Sequence, residues 1–414
     1  MQTRLTRLTR LTHLSRPTRG FLSLLCAAAV LTACGGGGGA DPVAPAAKTA
    51  FSAGAITGFG SIIVNGVRFD DSSASVSDDD GTSRRNDELR LGMVAEIDSA
   101  SITTDASDGS LHGKAKAIRF GSEIVGPVSS VAVDGKSLVV LGQTVQITAT
   151  TLFDDRLVGG LAGLVAGTSV IEVHGLVDVT TGAYTATRIE PKQNAPYFKL
   201  RGVVSNLNTI AKTFKIGSGA DTISYLGLTA ALPADMRDTL MVRVKLQTTQ
   251  INGQWVATNI KSGVRKLDDH DEAEIEGRIT ATTFTVDKKF SVNGVPVDAT
   301  NATFPKGSAG VVLGARVEVK GSAVNGVVMA TKVKVEDDHE RDLEGFELHG
   351  MVSAFDGVAK TFVLRGVTVS FADPAVEIRK GVLADLANDK KVEVKGVRSS
   401  DGTTLVATRI SFES

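Results

Sequence analysis

The densest potential chemistry in the 414-residue chain lies in two acidic clusters. They are Asp268-Asp269-His270-Asp271-Glu272 and, 69 residues later, Asp337-Asp338-His339-Glu340. Gathered carboxylates are hard oxygen ligands suited to calcium, so Asp268, Asp269, Asp271, Glu272, Asp337, Asp338 and Glu340 are candidate ligands for a structural Ca2+. The competing reading is a solvated acidic linker whose charge keeps exposed strand edges from pairing with other chains. The single tryptophan, Trp255, is a candidate platform for stacking a ligand. Against that role, its column in the repeat described below holds Tyr184, Val328 and Leu405, which is the composition of core filling. Gly58-Phe59-Gly60-Ser61 lacks the spacing of a nucleophile elbow. Gly217-Ser218-Gly219 falls in a hairpin loop instead of between a strand and a helix, so it does not cradle a phosphate. Asp78-Asp79-Asp80 reads as a plain loop. The expectation is a non-enzymatic chain with no catalytic residue and no cofactor beyond that possible calcium.

The first 34 residues read as an export address. Arg4, Arg7, Arg10, Arg16 and Arg19 precede the apolar run Phe21 to Leu31, which is too short to span a bilayer as a mature helix. Leu31-Thr32-Ala33-Cys34 is similar to a bacterial lipobox, in which small residues precede a cysteine that is acylated and becomes the new N-terminus. Five glycines, Gly35 to Gly39, follow as a tether. The resemblance implies lipidation of Cys34. Gly35 stands where an Asp would signal inner-membrane retention, which implies the outer membrane on either leaflet. Processing removes five of the 45 basic residues and none of the 46 acidic ones, so the mature chain has a net charge of −6. A mildly acidic exported chain has no electrostatic footprint for nucleic acid. Cys26 is lost with the signal and Cys34 is consumed by lipid, which excludes disulfides, thiol chemistry and cysteine-ligated zinc together.

The elements that must position any site come from an internal repeat. Five segments share an opening centred on Gly54, Gly126, Gly202, Gly277 and Gly350, spaced 72, 76, 75 and 73 residues apart. A strand, a glycine turn and a second strand follow, as in Ile62-Ile-Val-Asn65-Gly66-Val67 and Phe290-Ser-Val-Asn293-Gly294-Val295. Asn-Gly between apolar runs is a strong hairpin signal, because both central positions of the favoured turn need positive φ. Next come half-buried strands such as Val317-Glu-Val-Lys320-Gly321 and Val392-Glu-Val-Lys395-Gly396. Each unit closes on Ala186-Thr-Arg-Ile189, Ala257-Thr-Asn-Ile260, Ala330-Thr-Lys-Val333 or Ala407-Thr-Arg-Ile410, with Ala115-Lys-Ala-Ile118 as the first copy. The recurring positions are turn glycines and period-two apolar residues, whereas Ser, His, Asp and Glu drift from copy to copy.

These patterns predict an all-β chain, a tandem array of about five small five-stranded OB-like barrels with short helical connectors between strands three and four. An open five-stranded sandwich has the same element order, and spacing does not decide closure. The expected organisation is a signal peptide over 1–33, a lipidated Cys34 and Gly-rich tether over 34–50, and modules over 51–121, 122–197, 198–268, 269–343 and 344–414.

The block Ile56-Thr-Gly-Phe-Gly-Ser-Ile-Ile-Val-Asn-Gly-Val-Arg-Phe69, with Leu91-Gly-Met-Val94 and the Val-Glu-Val-Lys-Gly and Ala-Thr-Lys-Val signatures, resembles a family of repeated domains of unknown function. Such domains occur in exported lipoproteins of Gram-negative bacteria. The resemblance spans nearly everything from residue 51 onward and implies an envelope setting with OB-like modules, and it brings no catalytic residues. It fits a non-enzymatic surface binding, adhesion or scaffold protein whose partners are the membrane, through the lipid, and an envelope protein or glycan. The alternative is a periplasmic or surface protein that captures a glycan or metal in one barrel cleft.

Overall fold

The computed structural model describes residues 48–264, 267–337 and 345–413. Cys34, Asp338 and Glu340 lie outside the described residues. Five β units follow one another over 49–121, 124–191, 198–262, 270–335 and 346–412, referred to as barrels 1 to 5. In barrel 5, Phe346–Asp356 pairs with Thr361–Leu364, which pairs with Val367–Ser370. The third strand runs parallel to Leu405–Phe412, and that strand pairs with Lys391–Arg398, which returns to the first. The same circuit recurs in barrels 1, 2, 3 and 4. Every sheet closes on itself in the strand order 1-2-3-5-4-1, which is the OB arrangement.

Two glycine columns make this circuit possible. The hairpin between strands two and three turns through positive φ at Asn65 and Gly66 (52° and 76°) and at Asn293 and Gly294 (49° and 88°), the geometry that Asn-Gly favours. The first turn residue folds back over the opening glycine of strand one. A Cβ on Gly54 would stand 2.3 Å from the Asn65 side chain, and one on Gly277 would stand 2.2 Å from that of Asn293. The spacing of the two columns is therefore set by contact between them.

The Ala-Thr motif that ends each unit is a β-bulge. Opposite Lys320 and Gly321 the partners are Lys332 and Ala330, so Thr331 is the extra residue. Thr187, Thr258 and Thr408 occupy the same place in barrels 2, 3 and 5, and Lys116 does in barrel 1. A bulge moves the following residues to the other face of the strand, so alanine and the isoleucine or valine three positions later both point inward. The bulged hydroxyl caps the strand opposite: Thr258, Thr331 and Thr408 donate to the Lys245, Lys320 and Lys395 carbonyls at 3.3, 3.2 and 3.1 Å.

The helical connectors are corrected. Between strands three and four, barrels 1, 2 and 5 carry single 3-10 turns at Asn86–Glu88, Gly160–Gly163 and Leu383–Asp385, and barrels 3 and 4 carry turns alone among the described residues. The segments are too short to repay helix nucleation, and Gly381 and Pro233 interrupt them. Among the described residues the one α-helical turn, Phe284–Asp287, lies between strands one and two of barrel 4.

Nor do the barrels form a simple string, because residues 47–414 make one compact unit with barrel 1 as its hub. Its first strand runs parallel to the first strand of barrel 4 at Ala50–Ala53 and to that of barrel 5 at Gly58–Phe59. Thr187 of barrel 2 donates to the Gly92 carbonyl at 2.6 Å, and Asp79 reaches barrel 3. Barrels 2 and 3 join through their own first strands. The apolar interiors follow these seams: one continuous core serves barrels 2 and 3, a second serves 1 and 5, and Phe51 of barrel 1 completes the core of barrel 4.

Candidate functional site

Strand alternation sets a row of charge on the outer face of barrel 4. Glu274 and Glu276 project from His270–Thr282, and the register places them across from Lys320 and Glu318 on Arg316–Val324. Together with Thr57 and Asn65 of barrel 1 and Glu347 and Lys395 of barrel 5, they line a cleft of about 530 Å³ where three barrels meet. Lys320 Nζ sits 3.0 Å from both Glu274 and Glu318. Burial, with Glu318 alongside, pushes the Glu274 carboxyl up to about 7 despite the opposing effect of Lys320. Burial disfavours the Lys320 ammonium, yet Glu274 and Glu318 raise it above the usual lysine range.

Barrel 5 repeats the constellation. Glu347, Glu393, Lys395 and Glu413 stand where barrel 4 has Glu274, Glu318, Lys320 and Glu336, with His349 replacing Glu276. His349 meets Glu413 through Nδ1 at 2.7 Å and Glu347 through Nε2 at 2.6 Å. Burial opposes its proton, but the two carboxylates raise its affinity above the ordinary histidine value and favour an imidazolium. Glu347 also accepts from Lys395 at 3.1 Å and from Arg68 of barrel 1. Burial alone would lift Glu347; His349, Lys395 and Arg68 instead hold it at about 2. Among the described residues, Glu347, His349 and Glu393 are the one group of three whose ligand atoms lie close enough to share a metal ion. Arg68 and Lys395 already supply cations to Glu347, so this geometry serves a salt-bridge network joining barrels 1 and 5.

The residues singled out in the sequence take other places. Asp269 accepts the Asn325 amide at 2.6 Å and closes a hairpin of barrel 4, while Asp271 accepts the Thr49 amide at 2.9 Å and ties on barrel 1. His270 between them packs 5.6 Å from the Phe51 ring. Asp268 is exposed, and Glu272 lies in the ladder opposite Ala50. Asp268, Asp269, Asp271, Glu272 and Asp337 therefore bring together no metal-sized group among the described residues. Trp255 is corrected outright: it is 8% exposed, donates Nε1 to Asp221 at 2.8 Å and meets Phe198 edge-on at 5.5 Å. Simple alternation sets Trp255 and Ile260 on opposite faces, but the bulge at Thr258 turns both inward, and Tyr184, Val328 and Leu405 are buried in the same column.

Asp78-Asp79-Asp80 is also more than a loop. Asp79 lies 3.1 Å from Lys199 and from Arg243, and Asp80 lies 3.1 Å from Arg243 and 2.7 Å from Lys245. Burial opposes ionisation of Asp80, and Lys245 and Arg243 override it, holding the carboxyl below its usual range. Lys199, Arg243 and Lys245 sit on strands one and four of barrel 3, at the positions that carry Glu274, Glu318 and Lys320 in barrel 4. The sign of this outer face thus differs between barrels, and the aspartates of barrel 1 meet the basic one.

The domain family described as Domain of unknown function (DUF5666) matches the chain three times, over residues 125–190, 276–334 and 349–411. These matches coincide with barrels 2, 4 and 5, so the chain is similar to a repeated domain of that kind. No curated protein matches the chain significantly.

Proposed function

We propose that this chain, three of whose barrels are similar to a domain of unknown function, is a lipid-anchored, non-enzymatic protein of the Gram-negative cell envelope that acts as a surface binding, adhesion or scaffold protein. The observation that carries the reading is the hub: barrel 1 is bonded to each of the other four by strand pairing, carboxylate latches or a threonine hydroxyl. Five modules fixed in this way present a rigid multivalent head, and the glycine tether behind Cys34 gives that head reach from a membrane. Glu274, Lys320, Glu347, His349 and Asp80, whose ionisation is displaced, are all engaged in cross-strand or inter-barrel pairs, which suits a framework.

The test follows palmitate labelling and membrane fractionation of the chain and of Cys34→Ala. Loss of both in the variant supports anchoring, and unchanged labelling overturns it. A second reading, capture of a glycan or metal, is favoured by the acidic cleft between barrels 1, 4 and 5. Melts that are identical with calcium, with EDTA and with a glycan panel support the scaffold, whereas a reproducible upward shift with one of them supports capture.

A further inference from the structure

The four most exposed large apolar side chains among the described residues fall at one place in the repeat. Val133, Ile210, Val286 and Val358 are 107%, 94%, 87% and 97% exposed, and each sits on the hairpin between strands one and two, in barrels 2, 3, 4 and 5 respectively. A lysine follows two or three residues later: Lys136, Lys212, Lys288 and Lys360. Its carbonyl accepts the amide of the residue just past strand three, from Ile147, Tyr225, Ala299 and Phe371 at 2.8, 2.8, 3.0 and 2.9 Å, so each tip is held against its barrel. In barrels 3, 4 and 5 the lysine is left-handed, with φ of 55°, 60° and 54°, where glycine or asparagine is less strained. Backbone preference therefore does not select lysine at this position. Lys212 and Lys288 lean on the Tyr225 and Phe284 rings at 5.8 and 4.4 Å, and Lys212, Lys288 and Lys360 all remain exposed. Local side chains fix the apolar residue outward: Asn208 Oδ1 accepts the Ile210 and Ala211 amides at 3.0 and 2.8 Å, and Asp356 Oδ1 accepts those of Val358 and Ala359, each at 2.8 Å. Barrel 1 departs from the pattern. Its hairpin turns at Gly60-Ser61 against barrel 5, where a Cβ on Gly60 would stand 2.4 Å from His349. The aliphatic residue is thus present where the tip faces outward and missing where the tip abuts a neighbour.

Strand pairing gives two of these tips a common side. The first strand of barrel 1 runs parallel to those of barrels 4 and 5, so the hairpins carrying Val286 and Val358 lead off from the hub in one direction. Barrels 2 and 3 join through antiparallel first strands, which sends their tips apart. We propose that Val286 and Val358 are the points at which the head docks on a lipid bilayer, each entering the headgroup region while Lys288 and Lys360 meet lipid phosphates. This inference rests on the anchored reading, because 13 residues separate Cys34 from Lys48 and reach at most about 50 Å, which keeps the head of a lipidated chain beside its membrane. Single aliphatic side chains standing apart, each followed by a lysine, suit entry between headgroups, whereas a protein partner calls for contiguous apolar surface. Two valines bury too little surface to hold a protein on a membrane, so their role is to orient a head that the lipid already retains.

Residues 47–414 form one compact unit that contains all three cores and no cysteine, so this unit serves for the test. A histidine tag at its N-terminus ties it to vesicles of phosphatidylethanolamine and phosphatidylglycerol that carry a nickel-chelating lipid, which replaces the Cys34 anchor. A fluorophore on Thr285→Cys or Ala359→Cys, beside the intact valines, reports contact with a lipid bearing a nitroxide near its headgroup. Quenching of at least twofold is expected at both positions, and Val286→Asp with Val358→Asp should remove it without moving the melting temperature, since both side chains are exposed. The control label, on Gln250→Cys next to the 52% exposed Ile251 in the turn between strands four and five of barrel 3, should stay unquenched. Equal quenching at the control, quenching that survives the paired Val→Asp change, or no quenching at either tip overturns the proposal. Quenching at one tip alone overturns it too, because the two hairpins would then not share a side. None of these outcomes depends on lipidation, which palmitate labelling of Cys34→Ala decides separately.

Discussion

Glu274 gives the most direct test of how the outer faces are arranged. Its carboxyl moves from 4.5 to about 7, chiefly through burial with Glu318 nearby. At 1.36 kcal/mol per pH unit, this corresponds to a cost of about 3 kcal/mol when the group is ionised in the fold. The folded state binds more protons than the unfolded state between pH 4.5 and 7, so the cost is absent at pH 4.5, grows as pH rises and is complete above 7. His349 acts in the same direction, because its raised affinity gives stability that is present below the unfolded value and fades as pH climbs through the folded one. Glu347, held at about 2, contributes stability above pH 4.5 that is lost only as pH falls toward 2. Calorimetric melting of native chain and Glu274→Gln from pH 5 to 8 isolates the Glu274 contribution. For a unit of this size, 1 kcal/mol corresponds to roughly 1.3 °C. The variant should match the native chain at pH 5 and melt up to about 4 °C higher at pH 8, where Lys320 keeps Glu318 as partner. A variant that melts lower than the native chain by the same margin at every pH would refute the reasoning, since Glu274 would then be an ordinary ionised partner of Lys320.

Other expectations follow from the seams and the bulges. Asp79→Lys with Asp80→Lys should detach barrel 1 from barrel 3 at a cost of about 3 kcal/mol or more, because buried cations lose their partners. Adding Arg243→Asp and Lys245→Asp should recover part of that loss, and a four-fold variant no more resistant to proteolysis than the double variant would count against charge matching. Thr331→Val should cost about 1 kcal/mol, the hydroxyl bond alone, whereas deleting Thr331 should prevent barrel 4 from folding by turning Val333 outward. Equal melting of the two variants would remove the bulge from the account. Trp255→Phe should cost about 1–2 kcal/mol through the lost bond to Asp221, and native tryptophan fluorescence should be insensitive to added sugars.

What the sequence made legible, and what it hid, follows from the range of the interactions involved. The barrels were readable because their punctuation is local: Asn293-Gly294 turns in place, and Gly277 is small because that turn lies upon it. The Ala-Thr motif was visible without its meaning, since a bulge exists only relative to a partner strand. Plain alternation through Ala257-Thr258-Asn259-Ile260 sets Trp255 and Ile260 on opposite faces and suggests a ligand platform where there is core. Assembly was hidden for a stronger reason: Asp79 meets Lys199 across 120 residues, beyond any pattern that spacing reveals. Yet part of it was written in the columns. Glu274 and Glu347 sit three residues before Gly277 and Gly350, while Lys199 sits three before Gly202. This column does not stand out among the retained positions, because its charge changes sign. In a protein made of repeats, uniform columns maintain one fold five times over, and it is the sign-changing columns that tell one barrel from another and give each face a different partner.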